Sequence, residues 1–325
     1  MQGRAFGRRI VLAGLAAPLL PGVAAAQEFP SRPVRAVVGF APGGGVDLAA
    51  RVVTRRMGEA LRQSVVVENR PGAGSTLAAA AVARADADGY TLMVGETGML
   101  IAPALYREVR YDPVASFAPV GRIAIAPLGL AVPAGLGVTD LRAAIARAQA
   151  APRPWRYATP GVGTVQHLVG EMLRGTAPMP LEHVPYRGGA PAVTAAIAGE
   201  IELVIASLPS LLPAVAAGAL RLLAVTTATR LESVPEVPAV AEVLPGFDAA
   251  PGIFLVAPAG TPAPVLGTLN AALGAATTDA EVKRALLAAG LIAATPVDAA
   301  AMAREIAAET AKWTAVARAS GARLE

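Results

Sequence analysis

Short runs rich in β-branched residues alternate along this chain with Ala- and Leu-rich stretches of helical periodicity. Strands separated by helices are typical of βαβ units, in which parallel strands form a sheet with helices on its faces. The predicted strands cover residues 34–41, 64–69, 91–95, 128–132, 155–158, 201–206, 221–226 and 253–257. The predicted helices cover residues 47–61, 75–85, 139–149, 165–174, 190–198 and 210–217. The alternation therefore predicts an α/β fold with mainly parallel sheets.

The tail differs, because residues 264–319 are nearly all helical in periodicity and "TPVD" begins the last long helix. A length of 325 residues is enough for one large domain or two of ordinary size. An apolar fraction of 54% and a charged fraction of 16% favour a packed globule over disorder.

The net charge of +4 gives no reason to expect nucleic acid as a partner. Arg4, Arg8 and Arg9 lie in the N-terminal segment, and without them 25 basic residues stand against 24 acidic ones. No block of Lys and Arg is interleaved with aromatic residues, so the basic surface that nucleic acids require is missing from the pattern.

The N-terminus has the pattern of a secretory signal, with a basic start, an apolar stretch over residues 10–20 and small residues up to Ala26. Cleavage is expected after Ala26. The alternative of a membrane anchor is disfavoured, because spanning a bilayer takes about 20 apolar residues. Arg8 and Arg9 suggest twin-arginine export, but the residues around them fit that signal poorly. An exported chain without cysteine is expected to be a soluble periplasmic protein.

The stretch "FAPGGGVDLAAR" connects the first predicted strand to the first predicted helix. Gly43, Gly44 and Gly45 are able to adopt positive φ and to present backbone N–H groups, and a helix starting near Asp47 adds its positive end. This combination predicts an anion site. The alternative is a tight turn in which Asp47 caps the helix. Nucleotide binding is disfavoured, because neither G-x-G-x-x-G nor G-K-[ST] is complete.

A second device occurs twice, as "RPGAGST" over residues 70–76 and "TPGVGTV" over residues 159–165. Each copy follows a predicted strand and precedes a predicted helix. The two copies are either a coincidence in a chain with 33 Gly and 28 Pro, or one loop in each of two α/β lobes. In the second case the Ser or Thr caps the helix, and Thr164 carries a free hydroxyl next to the loop amides.

No catalytic constellation or metal site is recognisable. The only histidines are His167 and His183, no Cys is present, and no H-E-x-x-H or G-x-S-x-G motif occurs. His183 is expected to pack or to hydrogen-bond at a strand end. The sequence therefore predicts neither an enzyme nor a cofactor-binding protein.

The sequence resembles the extracytoplasmic solute receptors of the tripartite tricarboxylate transporters, often called Bug receptors. The resemblance runs from about residue 29 to the C-terminus, with its blocks in the order and at the spacing of that family. The matching stretches include "VVVENRPGAGS", "YATPGVGTVQHLVGEML", "HVPYRGGAPAV" and "LVAPAGTP".

The resemblance implies a two-lobed, type II periplasmic binding protein that closes over a small carboxylate in the interlobe cleft. After the signal peptide that the N-terminal residues predict over 1–26, the resemblance implies a first lobe over 27–126 plus 249–325 and a second lobe over 127–248. It also implies delivery to membrane permease subunits by a monomeric receptor. The ligand contacts that it implies are Pro42, Gly43, Gly44, Asp47, Glu96, Thr97, Gly161, Gly163, Thr164, His167, Ala206 and Ser207.

Two of these positions depart from the family pattern, in which a small polar residue is usual in place of Glu96 and an Asp is frequent in place of Ala206. We therefore expect Glu96 to pair with a ligand ammonium or hydroxyl group and to favour an amino acid or hydroxy acid over a citrate-like trianion. The alternative is that Glu96 points to solvent or meets an arginine. A periplasmic sensor that reports its ligand to a membrane kinase is the other function that the sequence leaves open.

Overall fold

The computed structural model describes residues 29–321, so the predicted signal segment lies outside the described residues. Its first lobe is built on a six-stranded sheet with the strand order β11-β4-β10-β3-β1-β2. The strands of this sheet are β1 Val34–Val38, β2 Val65–Asn69, β3 Thr91–Glu96, β4 Phe117–Ile125, β10 Gly252–Pro258 and β11 Ile292–Ala293.

The second lobe is built on a five-stranded sheet with the order β7-β6-β8-β5-β9. Its strands are β5 Leu128–Pro133, β6 Trp155–Thr159, β7 Leu181–Pro185, β8 Leu203–Ser207 and β9 Leu220–Val225. The helices of the two lobes are α1 Gly45–Leu61, α2 Thr76–Val82, α3 Thr97–Leu105, α4 Leu141–Gln149, α5 Val165–Thr176, α6 Gly189–Ile197, α7 Leu208–Ala216, α8 Ala263–Thr278, α9 Ala280–Ala288 and α10 Ala299–Ser320.

The chain crosses between the two sheets twice. β4 ends at Ile125 and β5 begins at Leu128, and the return runs from the end of β9 to Gly252. The two crossing segments are hydrogen-bonded to each other, since the Ala126 N–H donates to the Pro251 carbonyl at 2.8 Å. The only covalent links between the sheets in residues 29–321 therefore lie side by side, as a hinge requires.

The prediction of mainly parallel sheets is wrong. β1, β2 and β3 pair in parallel, as do β6, β7 and β8, but β10 is antiparallel to both β3 and β4, and β5 is antiparallel to both β8 and β9. The crossings explain the reversal. β10 enters the first sheet at the end where β4 leaves it, and β5 enters the second sheet where β9 leaves it, so each entering strand runs against its neighbour.

Four elements were missing from the prediction, namely β4, β7, β11 and α3. Pro119 and Gly121 interrupt the strand pattern of β4, and Gly98 and Pro103 interrupt the helical pattern of α3. Both residue types lower the intrinsic propensity of a segment, and tertiary packing overrides that effect here. The helical tail is confirmed, since Asp298 caps α10 by accepting a hydrogen bond from the Ala301 N–H at 2.6 Å.

The last helix, α10, packs against the cores of both lobes. Met302 and Ile306 join the core beside Met93 in the first sheet. About two turns further on, the fully buried Trp313 joins the core that contains Tyr157 of the second sheet. The lobe boundaries given above stay a prediction, and α10 is an element that contacts both sides of them.

Ser75 gives a prediction about stability. Its φ is 78°, which an L-residue other than glycine adopts at a cost, and its Oγ is buried with no partner among the described residues. We expect Ser75→Gly to raise the free energy of unfolding by about 1 kcal/mol, measured by urea denaturation. Ser233→Gly, at an exposed position with negative φ, is the matched control and should not stabilise the protein. A loss of stability in Ser75→Gly would contradict the strain argument.

Candidate functional site

A cavity of about 340 Å³ lies between the two lobes, at the carboxyl ends of β1, β3, β6 and β8. We call it the cleft cavity. The residues that line it come from both sheets and are Phe40, Val46, Gly74, Glu96, Gly98, Ala102, Leu105, Tyr106, Ala126, Leu128, Pro160, Val162, Gly163, Thr164, Val165, Gln166, Ser207 and Pro251. Four of the predicted ligand residues are among them, namely Glu96, Gly163, Thr164 and Ser207.

Three helices begin at this cavity. Glu96 is the N-cap residue of α3, Thr164 that of α5 and Ser207 that of α7, and all three line the cavity. The first N–H groups of a helix lack intrahelical partners, and the helix dipole makes that end positive. The Glu96 carboxylate already accepts from the Gly98 N–H at the start of α3, and the Leu208 N–H at the start of α7 donates to the Pro127 carbonyl. The positive ends of the three helices together still favour a bound anion.

The buried Asp47 side chain holds the loop over residues 42–45, which we call the glycine loop, by hydrogen bonds. Its carboxylate accepts hydrogen bonds from the Gly43 N–H at 2.9 Å, from Arg51 Nε at 3.0 Å and from Asn69 Nδ2 at 2.8 Å. Burial opposes ionisation of Asp47, but the hydrogen bonds from Arg51, Gly43 and Asn69 outweigh it and keep its pKa below the usual range. Asp47 therefore holds the turn in place through its own side chain.

The helix after this loop begins at Gly45 and is capped by Gly44, so Asp47 is its third residue and not its cap. Of the three glycines, only Gly43 has positive φ, at 89°. Pro42, Gly43 and Gly44 are exposed and do not line the cleft cavity. Their contact with a ligand, and that of Asp47, stay predictions.

Glu96 faces the cleft cavity and does not meet an arginine. It ends β3, is half-buried, and accepts a hydrogen bond from the Gly98 N–H at 3.1 Å. Within residues 29–321 it forms no ion pair, and burial raises its pKa to about 7. The next residue, Thr97, is buried and accepts a hydrogen bond from the Gly252 N–H at 2.8 Å, on the side away from this cavity.

The loop before α5, over residues 159–164, is also held by its own hydrogen bonds, and we call it the second loop. Thr164 caps α5 as predicted, by accepting a hydrogen bond from the His167 N–H at 3.3 Å. Its hydroxyl is not free, because it donates to the Gly161 carbonyl at 2.8 Å. The Gly163 N–H donates to Nδ1 of His167 at 3.2 Å, so His167 supports the loop from behind. In the first copy of this device, the prediction that Ser75 caps the helix is wrong, since its side chain makes no capping bond.

The remaining predicted position, Ala206, is fully buried at the end of β8, while its neighbour Ser207 shares a hydrogen bond with Ser210 at 2.9 Å. Sequence reasoning missed Gly74, Tyr106 and Gln166 as residues of the cavity wall. Gly74 had a signal in the sequence, because it belongs to the first P-G-x-G loop. Tyr106 follows a helix that the pattern did not reveal.

The two histidines form a stacked pair under the second loop. Their ring centroids are 4.0 Å apart, and Nε2 of His183 is 2.7 Å from Oγ1 of Thr159, which confirms the structural role expected for His183. Burial lowers the pKa of both rings, and for His183, with the added effect of His167, to about 4.

This pair predicts a loss of stability in acid. The pKa of His183 is about 6.5 in the unfolded chain and lower in the folded protein. Between these two values the unfolded chain therefore binds more protons than the folded protein does. The free energy of unfolding should therefore fall by about 2 kcal/mol between pH 6.5 and pH 4 through His183. In urea denaturation, His183→Gln should lose this part of the pH dependence, whereas the exposed neighbour Glu182→Gln should keep it. If the free energy of unfolding fell equally with pH in both variants, the acid sensitivity would not come from His183.

Among the described residues, no helix is both long and apolar enough to cross a membrane.

Comparison with known proteins finds relatives along almost the whole chain. Protein BugT of Bordetella pertussis is 33% identical over 325 residues, which covers 98% of this chain and 97% of that protein.

Two solved structures have the same two-lobed fold. The R. palustris protein Rpa4515 with adipate is 35% identical, with a TM-score of 0.77 over 91% of this chain and 100% of that one. MatC from Rhodopseudomonas palustris with bound malate is 32% identical, with a TM-score of 0.73 over 89% of this chain and 100% of that one. The model of the tripartite tricarboxylate transporter family receptors matches residues 49–322. The chain thus belongs to this family of periplasmic solute-binding receptors, as its sequence motifs suggested.

Proposed function

We propose that this protein is a receptor that binds a small carboxylate in the cleft cavity. The observation that carries the proposal is the convergence of the N-termini of α3, α5 and α7 on one cavity between two lobes. A volume of about 340 Å³ suits a small organic acid better than a nucleotide. The relatives that hold adipate and malate support the same ligand class.

The second loop is proposed as the main carboxylate clamp. The amides after Gly161 and the side chain of Thr164 lie at the start of α5, where a carboxylate meets backbone donors and the helix dipole together. The Thr164 hydroxyl would turn from the Gly161 carbonyl to the ligand. Asp47 and His167 are proposed to act indirectly, by fixing the loops that contact the ligand.

The further steps of the proposal concern export and delivery. The mature receptor is proposed to start after Ala26, to work as a monomer in the periplasm, and to close its lobes, 27–126 plus 249–325 and 127–248, over the ligand. The closed form would then deliver the solute to membrane permease subunits. The family membership supports this route, and co-purification with permease subunits of a tripartite tricarboxylate-type transporter would test it.

Ligand binding gives a prediction with a matched pair of variants. Mass spectrometry of co-purified molecules, followed by a thermal-shift panel of carboxylates, should identify a ligand that stabilises the protein by about 2.7 kcal/mol at a hundredfold excess over Kd. Thr164→Val should lower the affinity for that ligand about tenfold, because a charge-assisted hydrogen bond is lost.

The control for this experiment is Asp140→Ala, which removes the N-cap of α4, away from the cavity. Both variants lose a cap worth about 1 kcal/mol of stability, but only Thr164→Val should lose affinity. A broad panel in which no carboxylate moves the melting temperature would overturn the proposed function.

Glu96 predicts the pH dependence of ligand choice. Its pKa of about 7 means that it ionises as the pH rises through neutrality. Calorimetry should then show the affinity for a ligand with an ammonium group rising from pH 6 to pH 8, and that for a citrate-like trianion falling, each by up to about tenfold. Glu96→Ser should abolish both trends and narrow the preference between an amino acid and citrate. An unchanged preference in this variant would refute the assigned role of Glu96.

A further inference from the structure

A second and larger cavity, of about 600 Å³, lies on the other side of the hinge. We call it the rear cavity. Its walls come from α3, β4, β10, β11, α9 and α10 and from the loop over residues 227–233, which follows β9 of the second lobe. None of the predicted ligand residues lines it except Thr97, which the cleft cavity does not use.

The two cavities are separated by a wall only one layer of backbone thick. Along the first crossing, Ile125 lines the rear cavity and Ala126 the cleft cavity. Along the second, Ala250 and Gly252 line the rear cavity, while Pro251 between them lines the cleft. Successive residues of an extended segment point to opposite faces, so one pair of hydrogen-bonded segments forms a wall of both cavities.

Part of the rear wall is apolar and open to solvent. Leu287 on α9 is 52% exposed although it is a large apolar side chain, and Ile125 and Ile292 beside the cavity are only half-buried. Exposed apolar surface that lines a concave site is a common mark of ligand binding.

Two exposed carboxylates of the rear cavity, Glu232 and Asp248, form no ion pair among residues 29–321. Burial lowers the pKa of Arg122 in the same cavity, and the charges of Glu309 and Asp248 oppose that lowering. Four basic and four acidic residues line it, but Arg122 pairs with Glu305 and Lys312 pairs with Glu309. Arg230 is taken by Glu242, outside the cavity. The ionic lining residues that remain, with no ion pair among residues 29–321, are Glu232, Asp248 and Lys283. The lining groups without an ion pair are thus two carboxylates and one ammonium group, and all three are exposed at the mouth of the cavity.

We propose that the rear cavity is a second binding site, which takes a small organic ammonium compound with an apolar body and thereby holds the lobes in their open arrangement. The ammonium group lies near Asp248 and Glu232, and the apolar body covers Leu287 and Ile292. The preference is opposite to that of the cleft, where helix N-termini favour an anion.

The coupling to lobe movement follows from the position of the hinge. Behind it the lobes already touch, because a Cβ on Gly290 of the first lobe would lie 2.2 Å from Pro209 of the second. A rotation about the crossing segments that narrows the cleft must separate the walls of the rear cavity. A molecule that contacts both rear walls therefore opposes closure, and its effect is limited to its difference in affinity for the two forms.

The binding test uses 2-phenylethylammonium as the probe, in calorimetric titrations of the whole protein. We expect saturable one-site binding, which Ala228→Trp weakens at least tenfold because the indole fills the cavity from an exposed lining position. Ala285→Trp, exposed on α9 outside the cavity, should leave the affinity unchanged. Asp248→Asn should weaken binding about threefold, and Glu236→Gln, an exposed acid outside the cavity, should not.

The conformational test exploits the absence of cysteine from the sequence. Spin labels on Leu48→Cys and Val162→Cys, both 42% exposed in the unsubstituted chain, report the distance across the cleft by pulsed electron resonance. Saturation with the probe should increase the population with the longer distance. This readout needs no carboxylate, so its outcome is independent of the proposed function. Absent binding, equal binding by Ala228→Trp, or an unchanged distance would each overturn the proposal.

Discussion

The hydrogen bond between Ala126 and Pro251 is the constraint on which this molecule depends, because it joins the two segments that connect the lobes. With both crossings side by side, the sheets are able to rotate against each other about a single hinge. The same arrangement sets the direction of β5 and β10, which run against their neighbours. It also places the carboxyl ends of the parallel strands of both lobes on one side of the hinge, where the helices begin.

The polar groups around the cleft are largely engaged before any ligand arrives. Asp47 fastens the glycine loop, His167 supports the second loop, and the Thr164 hydroxyl closes the turn that it caps. Such internal bonds fix the positions of backbone N–H groups, and ordering them in advance lowers the entropy cost of binding. Glu96 is the exception, since its carboxyl group faces the cavity with only one backbone partner. The charge of Glu96 therefore acts more directly on a bound ligand than the charges of Asp47 and His167 do.

Packing of α10 adds a second tie between the lobes. Its first half shares the core of the first lobe through Ile306, and its second half inserts Trp313 into the core of the other. Because each half is buried in a different core, this helix must bend or slide if the lobes rotate. The rear cavity lies beside it, with Glu305 and Glu309 of the helix in its wall.

The sequence by itself determined the α/β class, the two glycine-containing loops at strand ends, the cap at Thr164 and the family. These features depend on local periodicity, on turn residues and on motifs that neighbouring residues specify. It did not determine β4 and α3, whose Pro and Gly residues lower local propensity, because burial in the finished sheet supplies the stability that propensity lacks.

Only the tertiary structure decided that Glu96 faces a cavity, that Asp47 and His167 accept hydrogen bonds from the loops beside it, and that a second cavity lies behind the hinge. Both cavities depend on which residues from distant parts of the chain meet, as Ala126 and Pro251 do. Local sequence patterns carry no information on such meetings, since they arise from the way that two complete lobes pack about their shared crossing segments.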